Sequence, residues 1–352
     1  MRKILVTGGA GFIGSNFVKA LLEKEWGKVY NLDALTYAGN LENLAELKEH
    51  PHYTFIKGNI CDKELVENLF RDYDFDCVVN LAAESHVDRS IQEPEIFLQT
   101  NIMGTQVLLE AAKRYWKIVP EDKYSREYKS GVKFLQISTD EVYGSLGQTG
   151  YFTEESPLCP SSPYSASKAA ADLMVKAYYE TFGLPVNITR CTNNYGPYQF
   201  PEKLIPLMIN NCRQEKKLPV YGDGLQIRDW LHVSDHCRAI LLVLEKGENG
   251  ETYNIGGNNE KTNLQIVHYI LDKLGKSKDL IEHLPNRPGG DFRYAIDNRK
   301  ITMGLGWQPQ YNFEEGMEET INWYLQHSSW LEKVVSGEYQ EYYRKMYPQQ
   351  NF

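Results

Sequence analysis

The sequence has no long uninterrupted apolar run. Nothing in it approaches the roughly twenty residues that a membrane-spanning helix needs. The first apolar stretch, Ile4-Leu5-Val6, stops at Thr7-Gly8-Gly9, too short for the core of a signal peptide. No cationic excess exists either: 38 Lys and Arg stand against 47 Asp and Glu, a formal net charge of −9. That balance argues against a nucleic-acid partner, while leaving room for a local cationic pocket for phosphate. Cysteine is sparse. The six, at positions 61, 77, 159, 191, 212 and 237, form no Cys-x-x-Cys pair, and they suit a reducing cytoplasm as buried free thiols. Repeats of solenoid period are absent as well. Membrane, nucleic-acid and disulfide-framework classes fall away, and a cytoplasmic location is expected.

What remains is ordinary globular composition, 42% hydrophobic and 24% charged over 352 residues, a length that suits two lobes in one enzyme. Short β-branched runs alternate with amphipathic stretches. Strands are expected at Lys3–Thr7, Val29–Leu32, Thr54–Lys57, Cys77–Leu81, Lys133–Ser138 and Val186–Arg190. Helices are expected at Phe12–Glu25, Lys63–Asp72, Ile96–Tyr115 and Ser165–Phe182. Near-continuous apolar strands separated by helices read as a parallel sheet covered on both faces. The expected fold is therefore α/β, a Rossmann-type doubly wound parallel sheet with a smaller C-terminal substrate-binding domain. Residues 1–192 would form the first domain, with segments returning to it at about 225–256. Residues 193–330, where Pro and Gly become frequent, would be mainly the substrate lobe. The aromatic-rich stretch 331–352 would be a helical tail packed on the body. The polar, charge-mixed segment 117–131 reads as a surface insertion with nothing to anchor it.

Lys3–Thr7 runs directly into Gly8-Gly9-Ala10-Gly11-Phe12-Ile13-Gly14, and a helical pattern follows. A glycine turn lets the backbone approach a pyrophosphate, and the helix N-terminus offers unpaired N–H groups to the anion. Such a motif is weak alone, but here it has a strand before it and a helix after it. Asp33 closes the second strand, where a carboxylate would bind ribose hydroxyls. No Lys or Arg stands in Asp33-Ala34-Leu35-Thr36 to neutralise a 2′-phosphate, so NAD is favoured over NADP. A solvent-exposed strand-end aspartate is the plainer reading, and the motif upstream outweighs it.

Tyr164 and Lys168 lie four residues apart, on one face of a helix. A nearby ammonium is expected to lower the phenol's pKa towards neutrality, making Tyr164 a base for a hydroxyl proton. The strand Lys133–Ser138 ends in Ser138-Thr139-Asp140-Glu141, at the edge where open α/β sheets bind ligands. A helix cap would be the usual reading of Asp-Glu. Simple hydride transfer needs no second acid and base, so the pair points to a further proton-transfer step.

These residues resemble the extended short-chain dehydrogenase/reductase family and, within it, the nucleotide-sugar 4,6-dehydratases. The resemblance covers nearly all the first 300 residues. It runs through Leu35–Asn40, Ala82–Ser90, Thr139–Glu141, Tyr164–Lys168, Asn193–Pro197, Pro201–Pro206, Gln226–Trp230 and Arg293–Asp297. It implies a dTDP-glucose substrate and a tightly bound NAD regenerated each turnover. Tyr164 would take the O4 proton, with Thr139 hydrogen-bonding O4 and Lys168 tuning Tyr164. Glu141 would remove the C5 proton and Asp140 would protonate the departing C6 hydroxyl. Cofactor contacts are implied at Gly8, Gly11, Phe12, Ile13, Gly14, Asp33, Asn59, Ile60, Leu81, Ala82, Ala83, Thr100, Tyr164, Lys168 and Asn194. Substrate contacts are implied at Ser85, Thr139, Asn193, Lys203, Leu204, Pro219, Tyr221, Arg228, Asn263, Arg293 and Tyr294, with Arg228 suited to the diphosphate. The family usually has Asp-Ile at the adenine pocket, where this chain has Asn59-Ile60; an Asn carbonyl can still accept from the adenine amino group.

His232 and His236 have zinc-ligand spacing, but no third ligand lies near them in sequence and no metal is expected. His86 reads equally as a pocket residue or a buried hydrogen-bonded histidine. The resemblance implies a homodimer through the helices at 96–115 and 165–182, which could otherwise simply cover the sheet. Competing activities are a UDP-glucose 4,6-dehydratase, a nucleotide-sugar 4-epimerase with Asp140 and Glu141 idle, and a catalytically silent NAD-binding protein. No motif reports thymine against uracil.

Overall fold

Twelve strands alternate with helices in the computed structural model, which describes residues 1–286 and 291–335. The strands are β1 (Arg2–Thr7), β2 (Gly27–Asp33), β3 (Tyr53–Lys57), β4 (Cys77–Asn80), β5 (Lys133–Thr139), β6 (Val186–Cys191), β7 (Asn193–Tyr195), β8 (Leu218–Tyr221), β9 (Ile227–His232), β10 (Thr252–Ile255), β11 (Glu260–Thr262) and β12 (Ile281–Leu284). Seven form one sheet in the order β10-β6-β5-β4-β1-β2-β3, and every pairing in it is parallel. The expected doubly wound fold is present, and the six expected strands fall within two residues of the observed ones.

The strand composition follows from the layers. Alternate side chains of a strand face opposite ways. In β1, Ile4 and Val6 join a core with Phe17, Val18 and Leu21 of the helix Phe12–Glu23. Leu5, between them, joins Leu108, Leu109 and Val175 on the other face. Both faces are dry, so a strand with polar alternation would leave half its side chains unsatisfied.

The chain winds outwards from β1 in one direction through β2 and β3, and in the other through β4, β5, β6 and β10. The order reverses between β1 and β4, which opens a crevice at the carboxyl ends of these strands. Asp33, Thr139 and Cys191 are the last residues of β2, β5 and β6, and all three border that crevice.

The rest of the chain builds a second core around Ile205, Met208, Ile266, Ile270, Met317 and Tyr324. A sheet of β11-β9-β7 and a pair β12-β8 frame it. The segment about 225–256 divides between the two bodies. β9 belongs to the small sheet, whereas the helix Val233–Lys246 packs on the main core and β10 extends the main sheet.

Two expectations need correction. The helix expected at 96–115 is not continuous: Pro94–Phe97 leads into a π-helical turn, Leu98–Gly104, before Thr105–Trp116. The turn lets the Asn101 amide reach Glu84 and Ser167, at 3.0 and 2.8 Å. The 117–131 insertion is tethered: Lys117 pairs with Tyr128, whose hydroxyl donates to the Phe182 carbonyl at 3.1 Å. Tyr128 supplies the anchor that its polar neighbours obscure. In the tail, Ser328–Val334 is helical and the Trp330 indole donates to Asn43 Oδ1 at 2.8 Å. Residues 336–352 of the expected tail lie outside the described residues.

Candidate active site

The crevice is a cavity of about 320 Å³. One wall is the glycine turn after β1. Gly8 has φ +69°, and a Cβ there would lie 2.7 Å from the Ala82 backbone; one on Gly14 would lie 2.1 Å from the Gly8 carbonyl. Those two glycines are needed by the fold itself. Gly11 differs: a Cβ there would meet only the Gly8 carbonyl, at 3.3 Å, so its bare face belongs to the cavity. Two side chains of β2 hold the turn. Asn31 Oδ1 accepts from the Gly9 N–H at 3.0 Å, and Asp33 accepts from Ala10 and Leu35 N–H at 2.9 and 2.8 Å. Burial raises the Asp33 pKa and the two N–H bonds oppose it.

Every residue expected to contact the cofactor lines this cavity: Gly8, Gly11, Phe12, Ile13, Gly14, Asp33, Asn59, Ile60, Leu81, Ala82, Ala83, Thr100, Tyr164, Lys168 and Asn194. Some are already engaged within the protein. Asn59 Oδ1 accepts from the Cys61 N–H at 2.9 Å. Asn194 donates through Nδ2 to the Thr192 carbonyl and meets His236 Nδ1 through Oδ1, both at 2.9 Å. These two bonds engage one Nδ2 hydrogen and one Oδ1 lone pair of Asn194.

The opposite wall comes from the end of β5. Thr139 caps the short 3₁₀ turn Asp140–Tyr143, its hydroxyl accepting the Glu141 N–H at 3.2 Å and donating to Asp140 Oδ1 at 3.3 Å. The cap is thus Thr139, which releases both carboxyls from that task. Asp140 is buried, and its Oδ2 has no partner. Burial, followed by the neighbouring Glu141, raises its pKa well above the ordinary value; Arg228 opposes this. Asp140 is therefore held towards its protonated form.

Tyr164 and Lys168 lie on the helix Pro163–Phe182, which starts at a reciprocal cap between Ser162 and Ser165 with Pro163 in the first turn. Both side chains are buried. The Lys168 ammonium donates to the Ile137 carbonyl at 2.7 Å, and burial lowers its pKa. The expected fall in the Tyr164 pKa is not produced by the protein alone. Burial raises it, Glu141 and Cys191 add to the rise, and the Thr139 hydrogen bond only partly offsets them.

The expected substrate residues divide. Ser85, Thr139, Asn193 and Lys203 line the cavity, and Lys203 donates to the Ser85 carbonyl at 3.1 Å. Leu204, Pro219, Tyr221, Arg228, Asn263, Arg293 and Tyr294 lie outside its lining. Arg228 and Tyr294 still belong to the electrostatic surroundings of Asp140 and Glu141. The Arg228 guanidinium lies 4.5 Å from the Tyr294 ring centre and donates to the Asp291 carbonyl at 3.0 Å. Arg293 is tied to both oxygens of Glu260, at 2.5 and 2.8 Å, and to the Gly150 carbonyl at 2.9 Å.

His232 caps its helix through Nδ1 and His236 holds Asn194. Among the described residues, no group of three or more His, Cys, Asp or Glu is arranged to hold a metal. Reading the sequence missed Asn31, Asn101 and Glu202. An Asn inside an apolar strand was the available signal for Asn31, whereas Asn101 and Glu202 depend on a π turn and on contacts between distant segments.

Comparison with known proteins supplies the remaining context. The model of the GDP-mannose 4,6 dehydratase family matches residues 5–320. A dTDP-glucose 4,6-dehydratase of Xanthomonas campestris pv. campestris is 53% identical over 344 residues, covering 95% of this chain and 96% of that protein. Among solved structures, the dTDP-glucose 4,6-dehydratase of Bacillus anthracis in complex with NAD is 52% identical, with a TM-score of 0.86 over 95% of this chain and 100% of that one. Its counterpart from Streptomyces venezuelae, with NAD and TYD bound, is 46% identical, with a TM-score of 0.88 over 94% and 99% of the two chains.

Proposed function

The chain belongs to the dTDP-glucose 4,6-dehydratase family, and on that premise we propose that it converts dTDP-glucose to dTDP-4-keto-6-deoxyglucose and water. The observation that carries this reading is the pair Asp140–Glu141. Two carboxyl residues stand at the end of β5, in one cavity with Tyr164 and the glycine turn, and Asp140 is biased towards its acid form.

The cavity fits NAD. Gly11 presents a bare face where a side chain would intrude, Asp33 closes β2, and no cation stands between residues 33 and 36 for a 2′-phosphate. The glycine turn Gly8–Gly14 and Asp33 would hold NAD, which would supply a hydride acceptor for C4 and the same hydride for C6, the positive charge of its oxidised ring favouring loss of the Tyr164 proton before the first transfer. The chain's own groups move the protons. Tyr164 Oη receives the O4 proton while Thr139 Oγ1 holds O4. The ketone at C4 acidifies the C5 proton, which a Glu141 carboxylate oxygen takes, and C5 is reprotonated when C6 receives hydride. Asp140, held towards its protonated form, gives a proton to the departing C6 oxygen so that water, not hydroxide, leaves. Lys168 fixes the helix of Tyr164 to β5 through Ile137.

No described helix is long and apolar enough to cross a membrane. A cytoplasmic location suits the six free cysteines and the nucleotide-sugar substrate. A homodimer is supported by Ile96, Leu98, Met103 and Leu173, exposed apolar side chains on the segment 94–116 and the helix Pro163–Phe182. Incubation of the purified protein with dTDP-glucose tests the activity. A 4-keto product, absorbing strongly in alkali, is expected; formation of dTDP-galactose alone would overturn the assignment.

A further inference from the structure

The carbonyl of Ala10, inside the glycine turn, accepts from two groups of the segment that follows β2. The Asn40 N–H reaches it at 3.0 Å and Asn43 Nδ2 at 2.9 Å. Asn43 lies on the 3₁₀ segment Leu41–Leu47 and is 2% exposed. Its Oδ1 in turn accepts from the indole N–H of Trp330 at 2.8 Å. One buried amide thus joins the helix Ser328–Val334 to the turn, across 287 positions on one side and 33 on the other. Aromatic rings seat that helix: Trp330 lies 5.1 Å from Trp323 and 5.9 Å from Tyr198. At the rim, Lys333 pairs with Glu42 at 2.8 Å.

The chemistry of the two ends fixes the amide between them. An indole only donates and a carbonyl only accepts, so Asn43 must turn Oδ1 to Trp330 and Nδ2 to Ala10. Without the indole, Oδ1 is a buried acceptor with no donor, and the amide loses its preferred orientation. The Ala10 oxygen and the Gly11 N–H belong to one planar peptide unit. Holding the oxygen therefore sets the plane that leads into the helix Phe12–Glu23, whose first turn lines the cavity through Phe12 and Ile13 and offers N–H groups to a pyrophosphate. Asp33 secures the Ala10 N–H at 2.9 Å. Neither Asn43 nor Trp330 lines the cavity, so any effect they have on a cofactor passes through the turn. We propose that Trp330 and Asn43 are positioning residues for NAD, through which the helix Ser328–Val334 clasps the glycine turn and slows release of the cofactor. This rests on the assignment of NAD to the cavity.

The test compares full-length wild type, Trp330→Phe, Asn43→Ala and the double variant. Release of bound NAD is timed by exchange with labelled NAD in the absence of sugar. Loss of one neutral hydrogen bond corresponds to about 2- to 10-fold, and Trp330→Phe should speed exchange by that factor. Asn43→Ala should speed it at least as much. The double variant should release no faster than Asn43→Ala, because the indole acts only through the amide. With dTDP-glucose, both single variants should show a raised KM for NAD, and added NAD should restore kcat. Trp323→Phe, in the same aromatic cluster, should lower the melting temperature without speeding exchange. Asn43→Ala preserves the comparison should Trp330→Phe fail to fold. Unchanged exchange in the single variants, additive effects in the double variant, or equal acceleration in Trp323→Phe would overturn this inference alone. Wild-type protein that binds no NAD would overturn the cofactor assignment, and this inference with it.

Discussion

Lys168 donates to the main-chain carbonyl of Ile137 at 2.7 Å, so its ammonium ties the helix of Tyr164 to the strand that delivers Thr139, Asp140 and Glu141. The bond makes the lysine a spacer between the two halves of the proposed acid/base machinery as well as a source of charge. Tyr164→Phe should abolish reduction of bound NAD by dTDP-glucose. Lys168→Met should lower kcat by about 10²–10⁴ and leave the protein folded. Single-turnover absorbance of the reduced nicotinamide reads the first step directly.

Asp140→Asn combined with Glu141→Gln should separate oxidation from elimination. Reduced nicotinamide should accumulate on addition of dTDP-glucose, and no 6-deoxy product should appear. Retained water loss in the double variant would contradict the roles assigned to the pair.

The glycines of the turn should respond differently to the same change. Gly11 has φ −79°, open to alanine, and a Cβ there meets only one carbonyl, at 3.3 Å. Gly11→Ala asks the Gly8 carbonyl to give by only a few tenths of an ångström, so it should melt closer to wild type than Gly14→Ala does, yet purify with little NAD. Gly14→Ala drives a Cβ to 2.1 Å from the Gly8 carbonyl and should destabilise the fold by about 1–3 kcal/mol. Thermal melts and NAD content per chain distinguish the two.

Glu202 makes stability depend on pH in a defined direction. Burial raises its pKa from 4.5 to about 7, so between those values the folded protein binds more protons than the unfolded chain. Stability from this group is complete below pH 4.5 and is lost as pH rises through about 7. The full loss is on the order of 3 kcal/mol. Glu202→Gln should accordingly melt higher than wild type at pH 8, and the difference should shrink towards pH 5. A constant difference would show that the carboxyl does not titrate as described.

The proposed dimer makes its own demand. Met103→Glu with Leu173→Glu places charge on two exposed apolar positions and should yield a monomer by light scattering. Wild type should run as a dimer at the same concentration.

The fold and most of the cavity wall around the glycine turn were legible because their signals are local. Thr7 through Gly14 are consecutive, and the glycine turn carries its meaning in spacing alone. Ile4 and Val6 facing one core, with Leu5 facing another, follow from the strand period and need no knowledge of partners. Tyr164 and Lys168 share a helix face for the same reason. Other features depend on residues far apart in the chain. The Tyr37–Glu202 contact joins positions 165 apart, and Lys203 reaches Ser85 across 118.

Thr139-Asp140-Glu141 shows where the division falls. Its residue types and its place at a strand end already pointed to an acid and a base. The direction of proton bias did not follow from them, because a carboxyl's pKa depends on the water removed from around it and on charges brought near by folding. Burial, with Glu141 adjacent, holds Asp140 towards its acid form, and Arg228, arriving from β9, only partly opposes it. The same physics explains Tyr164: four-residue spacing placed the lysine near it, but three-dimensional packing sent the ammonium to Ile137 and left burial to raise the phenol's pKa.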